Sequence, residues 1–175
     1  MTRLFHLYDV NNDGYLSRED YEEVVNNLAK SHGLSSDSSA YKNIYANYMA
    51  VWDLLRRYTD NNRDSVVSLD EYLARYDVLL RQNEVFDSII LTNAELIIEV
   101  TDTDGDGKVS EEEFVVSLMC HNVSEEDARA AFRHLDVRRY GFLTRSEWLR
   151  HIEEFYKSED PNALGNWLIG PLPEQ

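Results

Sequence analysis

Four stretches of twelve residues carry oxygen-bearing side chains at one fixed spacing. They are DVNNDGYLSRED from Asp9, DNNRDSVVSLDE from Asp60, DTDGDGKVSEEE from Asp102 and DVRRYGFLTRSE from Asp136. Each opens with Asp, carries an aliphatic residue at the eighth place and Ser or Thr at the ninth, and closes with an acid. Oxygens at places one, three, five, seven, nine and twelve of such a frame wrap a hard divalent cation such as calcium. Place seven contributes a main-chain carbonyl, place nine often acts through water, and place twelve closes the far side. Glycine at place six permits a left-handed turn. Ser or Thr at nine, three residues before the closing acid, also makes a capping box for the helix that follows.

The third frame is the most complete. Asp102, Asp104, Asp106 and Glu113 supply four carboxylates, Gly107 stands at the turn, Lys108 offers its carbonyl and Ser110 fills place nine. The first frame offers Asp9, Asn11, Asp13, the Tyr15 carbonyl and Ser17, with Gly14 at the turn, but closes with Asp20. Asp is one methylene shorter than Glu and reaches with one oxygen, which favours six-coordination and suits magnesium as well as calcium. The second frame offers Asp60, Asn62, Asp64, the Val66 carbonyl, Ser68 and Glu71, with Ser65 in place of the turn glycine. A left-handed non-glycine residue costs about 1 kcal/mol, which metal binding offsets. The fourth frame keeps Asp136, Gly141, Leu143 and Glu147 but places Arg138 and Tyr140 at three and five, with Arg139 between them. It is expected to stay empty and to serve as the partner of the third. Three calcium sites are therefore expected, with magnesium sharing them, the first above all.

Other chemistry fits less of the chain. LIIEVTDTDGDG resembles the strand and DxDG start of an aspartate phosphatase, but that motif explains neither Glu113 nor the repetition of the frame. No GxxxxGK[ST] or HExxH motif is present, and His6, His32, His121, His134 and His151 show no ligand spacing. No enzyme is expected.

The frames need helices on both sides. They start 51, 42 and 34 residues apart (60 − 9, 102 − 60, 136 − 102). From Tyr41 to Tyr58 apolar residues fall at 41, 44, 45, 48, 51, 52 and 55, one face of a helix. Val85 to Val100 predicts a helix into the third frame and Ser124 to Leu135 one into the fourth, with Ser124 and Asp127 as its capping box. SHGLSSDSS at 31–39 is a loop by composition. The expected fold is all-α, with four helix-loop-helix units in two pairs over residues 1–83 and 84–158 and a tail over 159–175. Short β-bridges should join paired loops, Leu16 opposite Val67 and Val109 opposite Leu143.

Composition fits such a fold. Net charge is −16, which repels nucleic acid and anionic membrane. Three calcium ions would bring it to −10 (−16 + 6) and relieve much of that self-repulsion. Aromatics at 11% and apolar residues at 43% argue for a packed core rather than a disordered acidic chain. Cys120 is the sole cysteine, so no intrachain disulfide forms and a reducing, cytoplasmic compartment is expected. The start MTRLFHLYDV has no signal-peptide pattern, Thr2 excludes N-myristoylation, and no apolar run approaches the roughly 20 residues that span a bilayer. No membrane anchor is expected, and the chain is read as a monomer.

The tail PNALGNWLIGPLPEQ combines helix-breaking Gly and Pro with Leu164, Trp167, Leu168, Ile169 and Leu172, and is expected to fold back between helices. Methionine is sparse, at Met1, Met49 and Met119, unlike the Met-rich grooves of calcium sensors. Trp52, Trp148 and most tyrosines are expected in the core.

VWDLLRRYTDNNRDSVVSLDEYLARYD from Val51 resembles the second EF-hand, with its tryptophan-bearing first helix, of the invertebrate sarcoplasmic calcium-binding proteins and their relative calexcitin. LGNWLIGPL from Leu164 is similar to that family's closing segment. The wide first spacing, Asp20 at place twelve and a fourth loop without ligands are also family-like. The resemblance implies two EF-hand pairs with the tail packed inside, and calcium and magnesium buffering in the cytosol. Calexcitin-like relatives take part in neuronal signalling, so the alternative it implies is a sensor that engages a target protein. A further relative class binds a luciferin in its EF-hand cavity. The chain departs from the family in having only eight residues ahead of the first loop.

Overall fold

The structure is a computed structural model that describes residues 2–80 and 90–171. It divides into two compact units, Met1–Asn93 and Ala94–Gln175. The expected boundary at residues 83 and 84, and the start of the helix expected from Val85, lie outside the described residues.

In the first unit α1 (Thr2–Tyr8) leads into the first loop, β1 (Tyr15–Leu16) crosses it, and α2 (Arg18–Ser31) leaves it. After the Ser- and Gly-rich connection, α3 (Ser39–Thr59) enters the second loop, which carries β2 (Val67–Ser68) and continues as α4 (Leu69–Leu80). Helix α3 starts at a Ser38 cap, whose hydroxyl accepts from Tyr41 N–H at 3.1 Å. It buries Ile44, Tyr48, Trp52 and Leu55, the stripe expected from periodicity. Against it pack Tyr21, Val24, Val25 and Leu28 of α2. Tyr21 stacks on Tyr8 at 5.0 Å between ring centres and meets Trp52 at 5.4 Å. The short α1 still anchors itself, because Leu4 and Phe5 are buried and Phe5 meets Tyr72 of α4 edge-on at 5.5 Å.

In the second unit α5 (Thr92–Thr101) enters the third loop, β3 (Lys108–Ser110) crosses it and α6 (Glu111–Met119) leaves it. The fourth loop lies between α7 (Glu125–Leu135) and α8 (Arg145–Lys157) and carries β4 (Phe142–Thr144). Ser124 caps α7 as its spacing with Asp127 predicts, accepting from Asp127 N–H at 3.1 Å and donating to its carboxylate at 2.8 Å. Phe114 holds the core together, with Phe132 at 5.6 Å and Trp148 at 5.5 Å.

The two β-bridges have the expected register. Leu16 faces Val67 in one and Val109 faces Leu143 in the other, both antiparallel. All four side chains are buried, so burial fixes the register that brings paired loops side by side.

The tail folds back within the second unit. A single 3₁₀ turn over Leu164–Trp167 lies against α7 and α8, and Leu168 is buried. Leu172 lies outside the described residues. Trp52 and Trp148 are core residues as expected, as are Tyr21, Tyr48 and Tyr72. Tyr15, Tyr58 and Tyr140 are exposed instead, Tyr15 at place seven of the first loop and Tyr140 at place five of the fourth.

Candidate metal centre

In each loop the main chain wraps around the first carboxylate. Asp9 accepts from the N–H groups of Asp13 and Gly14, both at 3.1 Å. Asp60 accepts from Arg63 at 2.7 Å and Ser65 at 3.2 Å. Asp102 accepts from Gly105 at 2.9 Å, Asp106 at 3.1 Å and Gly107 at 2.9 Å. Asp136 accepts from Tyr140 at 3.0 Å and Gly141 at 2.8 Å. Such a wrap needs left-handed backbone at place six, found at Gly14, Ser65, Gly107 and Gly141 with φ between 72° and 88°. Place four is left-handed too, at Asn12, Arg63, Gly105 and Arg139. Only the first of these two requirements is read from the frame's glycine; the second has no fixed residue type.

Places three and five turn inward the same way in the first three loops. Asn11, Asn62 and Asp104 accept from the N–H of place five at 2.8, 2.9 and 3.1 Å. Asp13, Asp64 and Asp106 accept from the N–H of Tyr15, Val66 and Lys108 at 2.9, 3.0 and 2.8 Å. In the third loop, oxygens of Asp102, Asp104 and Asp106 lie within 4.8 Å of one another, close enough to share one cation. The Lys108 ammonium stands beside this group, 3.7 Å from Asp106 and 4.4 Å from the centre of the Phe142 ring.

The closing acids are held by the capping residues expected from the sequence. Ser17, Ser68, Ser110 and Thr144 each donate main-chain N–H and hydroxyl to Asp20, Glu71, Glu113 and Glu147, at 2.7 to 3.1 Å. Asp20 is fully buried, and its other oxygen is 3.4 Å from Asn11 N–H. Glu71 likewise reaches Asn61 N–H at 3.2 Å. Burial raises the Glu113 carboxyl, but the donors on Ser110 and Thr103 outweigh it and hold Glu113 at about 2. The same Ser68 and Thr144 donors lower Glu71 and Glu147, and Arg138 lowers Glu147 further.

Two contacts are absent from the ligand pattern. Thr103, at place two, donates to Glu113 Oε1 from both N–H and hydroxyl. In the fourth loop Arg138 Nη1 lies 3.6 Å from Glu147 Oε1. The signals were a hydroxyl at place two and a cation at place three facing an acid at place twelve.

Residues 1–77 match a family described as EF-hand domain pair, and residues 76–119 match a second family of the same description. Together they span the first three loops. The chain belongs to the EF-hand family. The relatives of this EF-hand protein run nearly its full length. It is 28% identical to the luciferin-binding protein of Renilla reniformis over 94% of this chain and 88% of that one. It is 25% identical to the sarcoplasmic calcium-binding protein alpha chain of Penaeus vannamei, over 95% and 91%. Its fold matches a Streptomyces coelicolor calcium-binding protein with a TM-score of 0.76 at 21% identity, over 98% and 96% of the two chains. Among the described residues no helix is long and apolar enough to cross a membrane.

Proposed function

We propose that this protein is a cytoplasmic calcium buffer that takes up three ions, one in each of the first three loops. Asp9, Asn11, Asp13, Tyr15, Ser17 and Asp20 form the first site; Asp60, Asn62, Asp64, Val66, Ser68 and Glu71 the second; Asp102, Asp104, Asp106, Lys108, Ser110 and Glu113 the third. Tyr15, Val66 and Lys108 act through their carbonyls. The observation that carries the reading is the third loop, where three Asp oxygens converge within 4.8 Å in a chain of net charge −16. Like charges held so close are relieved by a divalent ion. The Asn11–Asp13 and Asn62–Asp64 pairs have the same inward turn, which supports two further sites.

Two features favour buffering over sensing. A sensor exposes an adaptable groove when calcium arrives. Here the chain has three methionines, and its own tail lies on α7 and α8. The short Asp20 favours six oxygens around the first ion, so magnesium competes there best.

Calorimetric titration of the metal-free protein with calcium, with and without about 1 mM magnesium, tests the proposal. Three sites near roughly 10 nM, at least one weakened by magnesium, are expected of a buffer. Sites near roughly 1 µM that ignore magnesium would identify a sensor instead. Fewer than three ions would remove a loop from the assignment.

A further inference from the structure

We propose that Arg138 serves as the resident cation of the fourth hand, tying its loop to α8 so that the hand keeps its helices, and the tail lying on them, in one arrangement with or without calcium. The fourth loop keeps the skeleton of the other three. Asp136 is wrapped by the N–H groups of Tyr140 and Gly141, Arg139 and Gly141 are left-handed, Leu143 pairs with Val109, and Thr144 holds Glu147. Places three and five differ, with Arg138 and Tyr140 where the other loops have acceptors, and the change of charge lies at place three. In the other loops that place is an oxygen acceptor, Asn11, Asn62 or Asp104, and a cation must come from solution to join it to the closing acid. Here place three supplies the positive charge covalently, and it lies 3.6 Å from the closing acid. The charges agree. The fourth frame sets Arg138, Arg139 and Arg145 against Asp136 and Glu147, whereas the third sets Lys108 alone against Asp102, Asp104, Asp106, Glu111, Glu112 and Glu113.

The contact also has a mechanical consequence. Arg138 follows the last residue of α7 by three positions, and Glu147 lies in the first turn of α8. The pair therefore links the two helices that carry the tail. Trp167 stacks flat on His134 near the end of α7, with ring centres 3.5 Å apart and planes at 4°. Gly165 sits against α8, donating its N–H to Glu154 at 3.1 Å, where a Cβ would collide with the carbonyl of His151 and the amide of Phe155. The tail is thus a strap across the hand whose place-three cation meets its closing acid. The inference rests on the proposed function only in taking the first three loops as the calcium-responsive ones.

Hydrogen exchange of the amides of residues 164–170 in the full chain, read by mass spectrometry, tests it. Wild type should protect these amides equally in chelator and in calcium. Arg138→Ala should speed their exchange about threefold in chelator, the scale of an exposed ion pair. Arg138→Lys should restore most of the protection, and Arg139→Ala should leave it unchanged. Tail protection that rises on adding calcium to wild type, or identical behaviour of Arg138→Ala and Arg139→Ala, would overturn the proposal. Calorimetry on the same samples keeps the two readings apart. Fewer than three ions bound counts against the buffer assignment alone, because the comparison of the arginine variants needs no calcium.

Discussion

Thr103 donates to Glu113 Oε1 from its main-chain N–H and from its hydroxyl, at 2.8 Å each, while Ser110 occupies Oε2 in the same double manner. The closing carboxylate of the third loop is therefore held by four donors. Glu113→Gln removes its charge and is expected to abolish the third site, lowering the calorimetric stoichiometry from three to two. Thr103→Val removes only the hydroxyl. It should keep the site and weaken it by about tenfold, the scale of lost outer-shell support. Unchanged affinity in Thr103→Val would show that the main-chain donor suffices.

Ser65 holds φ at 72° in the second loop, where the other loops use glycine. Relief of that conformation is worth about 1–2 kcal/mol, and the added freedom of glycine in the unfolded chain takes back about 0.5–1 kcal/mol. Ser65→Gly should thus stabilise the metal-free first unit by roughly 0.5–1 kcal/mol. Ser65→Ala, which keeps the Cβ, should not. Urea midpoints decide it, and a loss of stability in Ser65→Gly would mean that the serine side chain contributes more than its backbone costs.

The frame, the pairing of loops and the caps were legible in the sequence because each rests on local chemistry. Acids and amides at alternate places, a hydroxyl three residues before an acid, and an aliphatic residue at place eight predict Leu16 opposite Val67 and Ser124 as a cap, and both are found. Periodicity located α3 to within two residues, Ser39–Thr59 against 41–58. The contacts of Thr103 and Arg138 were not legible, because the frame treats place two as a spacer and says nothing of what a non-ligand at place three would touch. The exposure of Tyr15 and Tyr140 was missed for a related reason. Core placement follows helical faces, and these two residues stand in loops rather than on a helix.

His121 and His151 are buried in the second unit. Burial pushes both below the ordinary value of 6.5, against the opposing Ser117 carbonyl at His121 and the Glu154 carboxylate at His151. The unfolded chain then takes up protons first as pH falls. Stability is full above about 6.5 and declines through that value toward the lower folded values. The lowered carboxyls of Glu71, Glu113 and Glu147 act in the same direction in a separate window, below the ordinary 4.5. Melting of the metal-free protein should fall in two steps, one beginning near pH 6.5 and one below about 4.5. His151→Gln should shrink the first step only. A single acid step in wild type would show that the histidines titrate normally.

Gly165 has no room for a side chain, because an added Cβ would meet the backbone of His151 and Phe155 and lie 2.7 Å from Glu154 Cβ. Helix α8 cannot yield there without breaking its own hydrogen bonds, so in Gly165→Ala the strap must lift. Lifting breaks the Gly165–Glu154 hydrogen bond and exposes Leu168. A destabilisation of about 1–3 kcal/mol is expected, the range for overpacking a tight contact. Protease cleavage between residues 158 and 164 should rise in parallel. His134→Ala removes the stacking with Trp167 together with the Nδ1 hydrogen bond to the Ala130 carbonyl, and should cost about 1 kcal/mol. Because the turn over Leu164–Trp167 lies against α7 and α8, the helices of the fourth loop, both variants should still bind three calcium ions. Loss of an ion in Gly165→Ala would mean that the strap transmits strain through α8 and the fourth loop to the third loop, across the Val109–Leu143 bridge.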